Sequence, residues 1–88
     1  MTEEGMSAEE RIRDFLIEDL QWEGPRSELT DDLPLIENRL IDSLGLMRLV
    51  GRIESEFGIH VRDEDIVLAN FGSIRRIADF VHGATRTP

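Results

Sequence analysis

Ser43 is the side chain whose setting most invites covalent chemistry. It lies in Ile41-Asp42-Ser43-Leu44-Gly45. The nucleophile elbow of a hydrolase needs a glycine two positions before the serine, and a strand leading into it. Ile41 stands at that position, and nowhere does a period-2 run of strand length appear. A hydrolase is therefore not expected. His60 and His82 show no metal-ligand spacing, and the chain contains no cysteine, so a structural zinc site, a disulfide staple and a thiol nucleophile are all set aside. Asp63-Glu64-Asp65 lacks the glycine and the spaced glutamate of a calcium loop; acids at a helix start account for it. Trp22 is expected to pack against a loop rather than stack on a ligand. No catalytic residue and no metal ligand emerges. What remains is Asp42-Ser43-Leu44 at the start of a helix, and three such residues alone describe an ordinary N-cap.

The elements that would position Ser43 follow from periodicity. Ser7-Ala8-Glu9-Glu10 fits a capping box. Ile12, Phe15, Leu16 and Leu20 then recur at helical spacing, giving a first helix of about four turns that ends before Gly24-Pro25. Residues 24–42 are broken by Gly24, Pro25 and Pro34, yet Leu29, Leu33, Leu35, Ile36, Leu40 and Ile41 are too apolar for a solvated linker. This long loop is read as ordered, its leucines plugging the core. A second helix begins at Asp42 or Ser43. Leu46, Leu49, Val50, Ile53 and Phe57 form its apolar stripe, Leu44, Met47, Arg48 and Gly51 lie on a different side, and Gly58 stops it. Ile59-His60-Val61 reads as an extended link. Ile66, Leu68 and Phe71 supply a short third helix that starts at the Asp63-Glu64-Asp65 acids and breaks at Gly72. Ser73 caps a last helix built on Ile74, Ile77, Ala78 and Val81, with Gly83 as its stop. The expected fold is all-α, a four-helix bundle of three longer helices and a short third one, with a long ordered loop between the first two. Residues 1–6 are expected to be a flexible N-terminus, 7–83 the domain and 84–88 a flexible tail.

At 88 residues, the chain is sized for one small domain. The composition is 40% hydrophobic and 33% charged, ordinary for a globular protein. Nothing resembles a signal peptide or a membrane span, so the expected compartment is cytoplasmic. All ten basic residues are arginine, and the net charge of −9 falls entirely within Met1–Asp42, where thirteen acids face four arginines. Such a surface repels phosphate backbones and anionic lipids, so neither nucleic acid nor membrane is an expected partner. The same crowding is expected to oppose compaction, and added salt to relieve it.

The segments Leu35-Ile36-Glu37, Leu40-Ile41-Asp42-Ser43-Leu44-Gly45-Leu46 and Ile53-Glu54-Ser55-Glu56-Phe57-Gly58-Ile59, with the order and lengths of the helices, resemble the acyl and peptidyl carrier protein family. The resemblance covers about residues 7–83. It implies a non-catalytic carrier whose Ser43 takes 4′-phosphopantetheine from coenzyme A. A helix N-terminus suits the phosphodiester, because free amides and the positive end of the dipole meet there. The implied docking surface is Asp42, Leu44, Met47, Arg48 and Gly51. Its implied partners are a phosphopantetheinyl transferase, an acyl- or aminoacyl-activating ligase, and downstream synthase or tailoring enzymes, met by a monomer. Carriers of fatty acid synthesis have an acid-rich second helix, whereas here Gly45, Arg48 and Arg52 follow Ser43 and the helix carries no net charge. The resemblance therefore points to a freestanding carrier of nonribosomal peptide or polyketide type. A fatty acid synthesis carrier is the alternative, and an unmodified helical interaction module a further one.

Overall fold

A computed structural model describes residues 7–86. The expectations for residues 1–6 and for Thr87-Pro88 lie outside the described residues. The element order is α1 (Ala8–Asp19), α2 (Ser43–Phe57), α3 (Leu68–Phe71) and α4 (Ile74–Arg86), with 3₁₀ turns at Arg26–Glu28 and Asp63–Asp65. There is no strand among the described residues. The fold is the all-α, four-helix arrangement read from the periodicity.

The Ser7 hydroxyl accepts the Glu10 amide at 3.1 Å and starts α1. Ile12, Phe15 and Leu16 turn inward. The helix is 12 residues long, shorter than the spacing suggested. Gln21 takes the left-handed region at φ 54° and turns the chain away, well ahead of Gly24-Pro25.

The connection from α1 to α2 is ordered, as expected. Leu29, Leu35 and Ile41 are buried in the core, while Leu33 and Leu40 pack against it. Its backbone is tied to the α3–α4 junction: the Leu35 amide donates to Gly72 O at 2.8 Å, and the Arg75 amide donates to Asp31 O at 2.8 Å. Arginines clip it from outside. Arg13 donates to Leu29 O at 2.7 Å and pairs with Asp31, Arg75 meets Asp32 at 2.6 Å, and Arg26 meets Asp14 at 2.5 Å. Trp22 packs on this loop and donates from Nε1 to Pro25 O at 3.1 Å.

In α2, Leu49, Val50 and Ile53 are buried, and Leu46 and Phe57 pack at their edge. Gly58 ends the helix in the left-handed region, φ 67° and ψ 35°, a conformation glycine enters without a Cβ penalty. Beyond it, the Val61 amide donates to the Glu54 carboxylate at 2.8 Å.

Two expectations need correcting. The Asp63–Asp65 acids begin a separate 3₁₀ turn rather than α3, because the extended Val67 (φ −133°, ψ 162°) interrupts the helix between them. The third helix is therefore a single turn. It buries Phe71 but leaves Leu68 50% exposed, so Leu68 is not a core residue. The last helix does not stop at Gly83. Gly83 holds no positive φ, and a helical glycine costs only about 0.5–1 kcal/mol relative to alanine. The helix continues to Arg86, past the expected stop. Ser73 caps α4 as expected, its hydroxyl accepting the Arg76 amide at 3.2 Å. Among the described residues no helix is long and apolar enough to cross a membrane.

Candidate functional site: the start of the second helix

Asp42 is the N-cap of α2. Its carboxylate accepts the Gly45 amide at 2.8 Å, and its carbonyl accepts the Leu46 amide at 2.8 Å. The capping is thus done by Asp42, which leaves the next residue free for other use. Ser43 is the first helical residue and is exposed. Among the described residues its hydroxyl has no hydrogen-bond partner. An uncommitted hydroxyl in solvent, at the positive end of a 15-residue helix, suits the attachment of a phosphate-bearing group.

The turn is held from below by a residue whose role the sequence reading missed. Gly45 is buried, and a Cβ placed there would lie 3.1 Å from Leu20 Cδ2 and 3.2 Å from Asp42 Oδ1. A Cβ there would require the Leu20 side chain and the capping Asp42 carboxylate to give by a few tenths of an ångström. The available signal was a glycine in the first turn of an otherwise strong helix, where alanine would be favoured.

Asp42, Leu44, Met47, Arg48 and Gly51 are all exposed. Leu44, Met47, Arg48 and Gly51 follow helical spacing and share one face of α2. Leu44 is 64% and Met47 52% exposed, so neither is buried against the loop or α3. Space is open beyond Gly51. Arg48 makes no hydrogen bond or ion pair among the described residues. Val67 and Leu68, at the start of α3, are the other large apolar residues left exposed, and the periodicity had assigned Leu68 to the interior.

Arg52 does not belong with Arg48. Its guanidinium reaches Asp19 at 2.7 Å, Glu18 at 3.0 Å and Glu56 at 3.1 Å, and sits 4.4 Å from the Phe15 ring centre. The hydrogen bond it donates to Glu18, and with it the one to Glu56, holds its pKa above the ordinary value, against some desolvation. Arg52 fastens α1 to α2 and offers no charge to a partner. His60 faces solvent, with Glu54 at 3.3 Å. No group of three or more His, Asp or Glu among the described residues is placed to hold a metal ion.

A family model described as the phosphopantetheine attachment site matches residues 10–81. The chain belongs to the acyl and peptidyl carrier protein family. It is 30% identical over 60 residues to an acyl carrier protein of Solidesulfovibrio magneticus, and 33% identical over 60 residues to those of Myxococcus xanthus and Micrococcus luteus. Each match covers 68% of this chain, and 74%, 66% and 64% of those proteins respectively. The cofactor of this carrier protein is 4′-phosphopantetheine. Proteins of the family are in general non-catalytic, and work with phosphopantetheinyl transferases and with synthesis enzymes.

Proposed function

We propose that Ser43 is the attachment residue, and that the protein is a carrier of acyl or aminoacyl intermediates in nonribosomal peptide or polyketide-type biosynthesis. The observation that carries the first part is the division of labour at the start of α2. Asp42 caps the helix, so the Ser43 hydroxyl stands in solvent with nothing to hold. In the loading step, Ser43 Oγ forms a bond to the phosphorus that carries the pantetheine. The bond from that phosphorus to the departing adenosine 3′,5′-bisphosphate breaks, and the hydroxyl proton passes to the transferase. When bound, 4′-phosphopantetheine supplies a flexible arm ending in a thiol that holds a carboxylic acid as a thioester. Gly45 and Leu20 fix the base of that arm, which gives the cargo a high effective concentration at any docked enzyme.

The docking face supports the choice of pathway. Leu44, Met47 and Gly51 offer apolar contact, and Arg48 is the exposed charge among them, while Arg52 is committed to Glu18, Asp19 and Glu56. An enzyme built to receive an acidic helix finds a cation here. Incubation with coenzyme A and a promiscuous transferase, read by peptide mass spectrometry, should add one phosphopantetheine at Ser43 and none to Ser43→Ala. Modification persisting in that variant would sink the site. For the pathway, the loaded protein should be a poor substrate for a fatty acid ketosynthase, and Arg48→Glu should improve it. Wild-type turnover equal to that of a standard fatty acid carrier would replace the pathway reading with the fatty acid one.

A further inference from the structure

Gly51 stands near the middle of α2, in a helix interior where alanine would be the more stable choice. Gly45, Gly58 and Gly72 each serve the fold. A Cβ would crowd Leu20 and Asp42 at Gly45 and would lie 2.6 Å from Leu68 O at Gly72, while Gly58 is left-handed. At Gly51 a Cβ would meet nothing within 4 Å, and φ is not positive. Nothing among the described residues makes use of its missing side chain. We propose that Gly51 is a docking notch, where the transferase that loads Ser43 brings an apolar segment of its own chain against the backbone of α2. The inference rests on Ser43 being the attachment residue.

Residues four apart on a helix advance by only about 40° and rise by about 6 Å. Ser43, Met47 and Gly51 therefore form one row along α2, and all three are exposed. An enzyme that forms a bond at Ser43 Oγ has to cover the turn that carries it. A specific interface takes about 800 Å² from each partner, a patch roughly 30 Å across. Gly51 lies only about 12 Å along the helix from Ser43, so the footprint of such an enzyme reaches it. The relief of the row is uneven. Met47 is 52% exposed and stands up from it, as does Leu44, 64% exposed, beside it; at Gly51 the row drops to bare backbone. The distance between packed elements is set by the side chains at their contact, so a helix or strand crossing here can settle closer than over any other residue type. Its side chains then pack against the flank of Met47. The chemistry that fits is apolar, because neither Met47 nor Gly51 offers a charge and Arg48 lies to one side of the row.

The test uses the apo protein with coenzyme A and a promiscuous phosphopantetheinyl transferase. Gly51→Ala should melt about 2–8 °C above the wild type. The same variant should raise the KM of the transferase by about fivefold with kcat unchanged, the pattern of binding lost equally from ground and transition states. Gly51→Leu should raise KM further, although leucine adds apolar area. Gly83, on α4, is as open to a Cβ as Gly51 and provides the comparison: Gly83→Ala should leave KM within about twofold of the wild type. An unchanged KM in Gly51→Ala overturns the proposal, as does a KM lowered by Gly51→Leu, which would show a face that takes bulk rather than one that needs a gap. An equal rise in Gly83→Ala overturns it too, and so does a Gly51→Ala that melts below the wild type, which would place the need for glycine inside the fold. Mass spectrometry of the loaded wild type reads the assignment of Ser43 separately from these constants. Loading at a residue other than Ser43 overturns the proposal together with the reading on which it rests.

Discussion

Two adjacent residues, Asp42 and Ser43, should respond to mutation in opposite ways. The Asp42 carboxylate accepts the Gly45 amide at 2.8 Å. Removing an N-cap of this kind costs about 1 kcal/mol, and the loss of a negative charge at a helix N-terminus adds a few tenths at an exposed site. In a domain of this size about 1 kcal/mol lowers the melting temperature by about 4–8 °C. Asp42→Ala should therefore melt roughly 5–10 °C lower, whereas Asp42→Asn keeps the acceptor and should lose only about a third of that. Ser43 makes no side-chain contact that α2 needs, and alanine is the better helix former by a few tenths of a kcal/mol. Ser43→Ala should melt at the wild-type temperature or slightly above it, and accept no phosphopantetheine. Circular dichroism melts of the apo proteins at one ionic strength provide the comparison. A loss in Ser43→Ala as large as that in Asp42→Ala would show that the hydroxyl is the cap. The separation of fold from chemistry at this turn would then be wrong.

Arg52→Ala breaks three partly exposed ion pairs and a stacking contact on Phe15, worth together about 2 kcal/mol; urea unfolding followed by circular dichroism should show the midpoint fall accordingly, and Arg52→Lys should recover no more than about half. That variant also frees Glu18, Asp19 and Glu56 to repel one another, so added salt should raise its melting temperature more than it raises that of the wild type; equal salt responses would count against the pairs. The Arg75 hydrogen bond holds the Asp32 carboxyl below its ordinary pKa, so its contribution is present above the unfolded value, near 4, and is lost as pH falls through the folded one. The stability gap between wild type and Asp32→Asn should accordingly persist at neutral pH and close as pH falls below about 4, and a gap independent of pH would refute it. Met47→Asp alters an exposed site and should unfold within about 0.5 kcal/mol of the wild type; if Met47 anchors docking, the same variant should raise the KM of a transferase for the apo protein by about tenfold.

The parts of this fold that were legible in the sequence are those set by local periodicity and caps. The stripes Ile12-Phe15-Leu16, Leu49-Val50-Ile53 and Ile74-Ile77-Ala78-Val81 became the core. Ser7, Asp42, Gly58 and Ser73 became the helix boundaries they suggested. Features that depend on distant contacts were not legible. Nothing local marks Gln21 as the residue that turns the chain out of α1, since a left-handed glutamine carries no compositional signal. Arg52 reads as a solvated charge on its own helix; only the approach of α1 supplies Glu18 and Asp19. The acid excess of Met1–Asp42 looked like unrelieved repulsion, yet Asp19 and Asp32 are paired by Arg52 and Arg75 from the other half of the chain. Among the candidate site residues, the outward residues of α2 followed from the wheel, and Ser43 from the resemblance. Gly45 did not, because the tight space there is set by Leu20, at the distant end of α1.

The loop before Ser43 explains why so much of its structure is devoted to being held still. An arm with many rotatable bonds supplies reach on its own, so further motion at its base would only dilute the effective concentration of the cargo. With Ser43 as the proposed attachment residue, that base is fixed from three directions. Leu35 and Ile41 anchor the approach in the core, with the Leu35 amide bonded to Gly72 O at 2.8 Å. Asp42 fixes the first turn of α2, and Gly45 seats that turn against Leu20. None of these contacts uses the Ser43 side chain or the outward face of α2. On the proposed assignment, stability and partner choice are carried by different atoms of the same helix. Leu44, Met47 and Arg48 can therefore change to suit a different enzyme with little effect on the fold, whereas a side chain at Gly45 would press on both Leu20 and the capping carboxylate of Asp42.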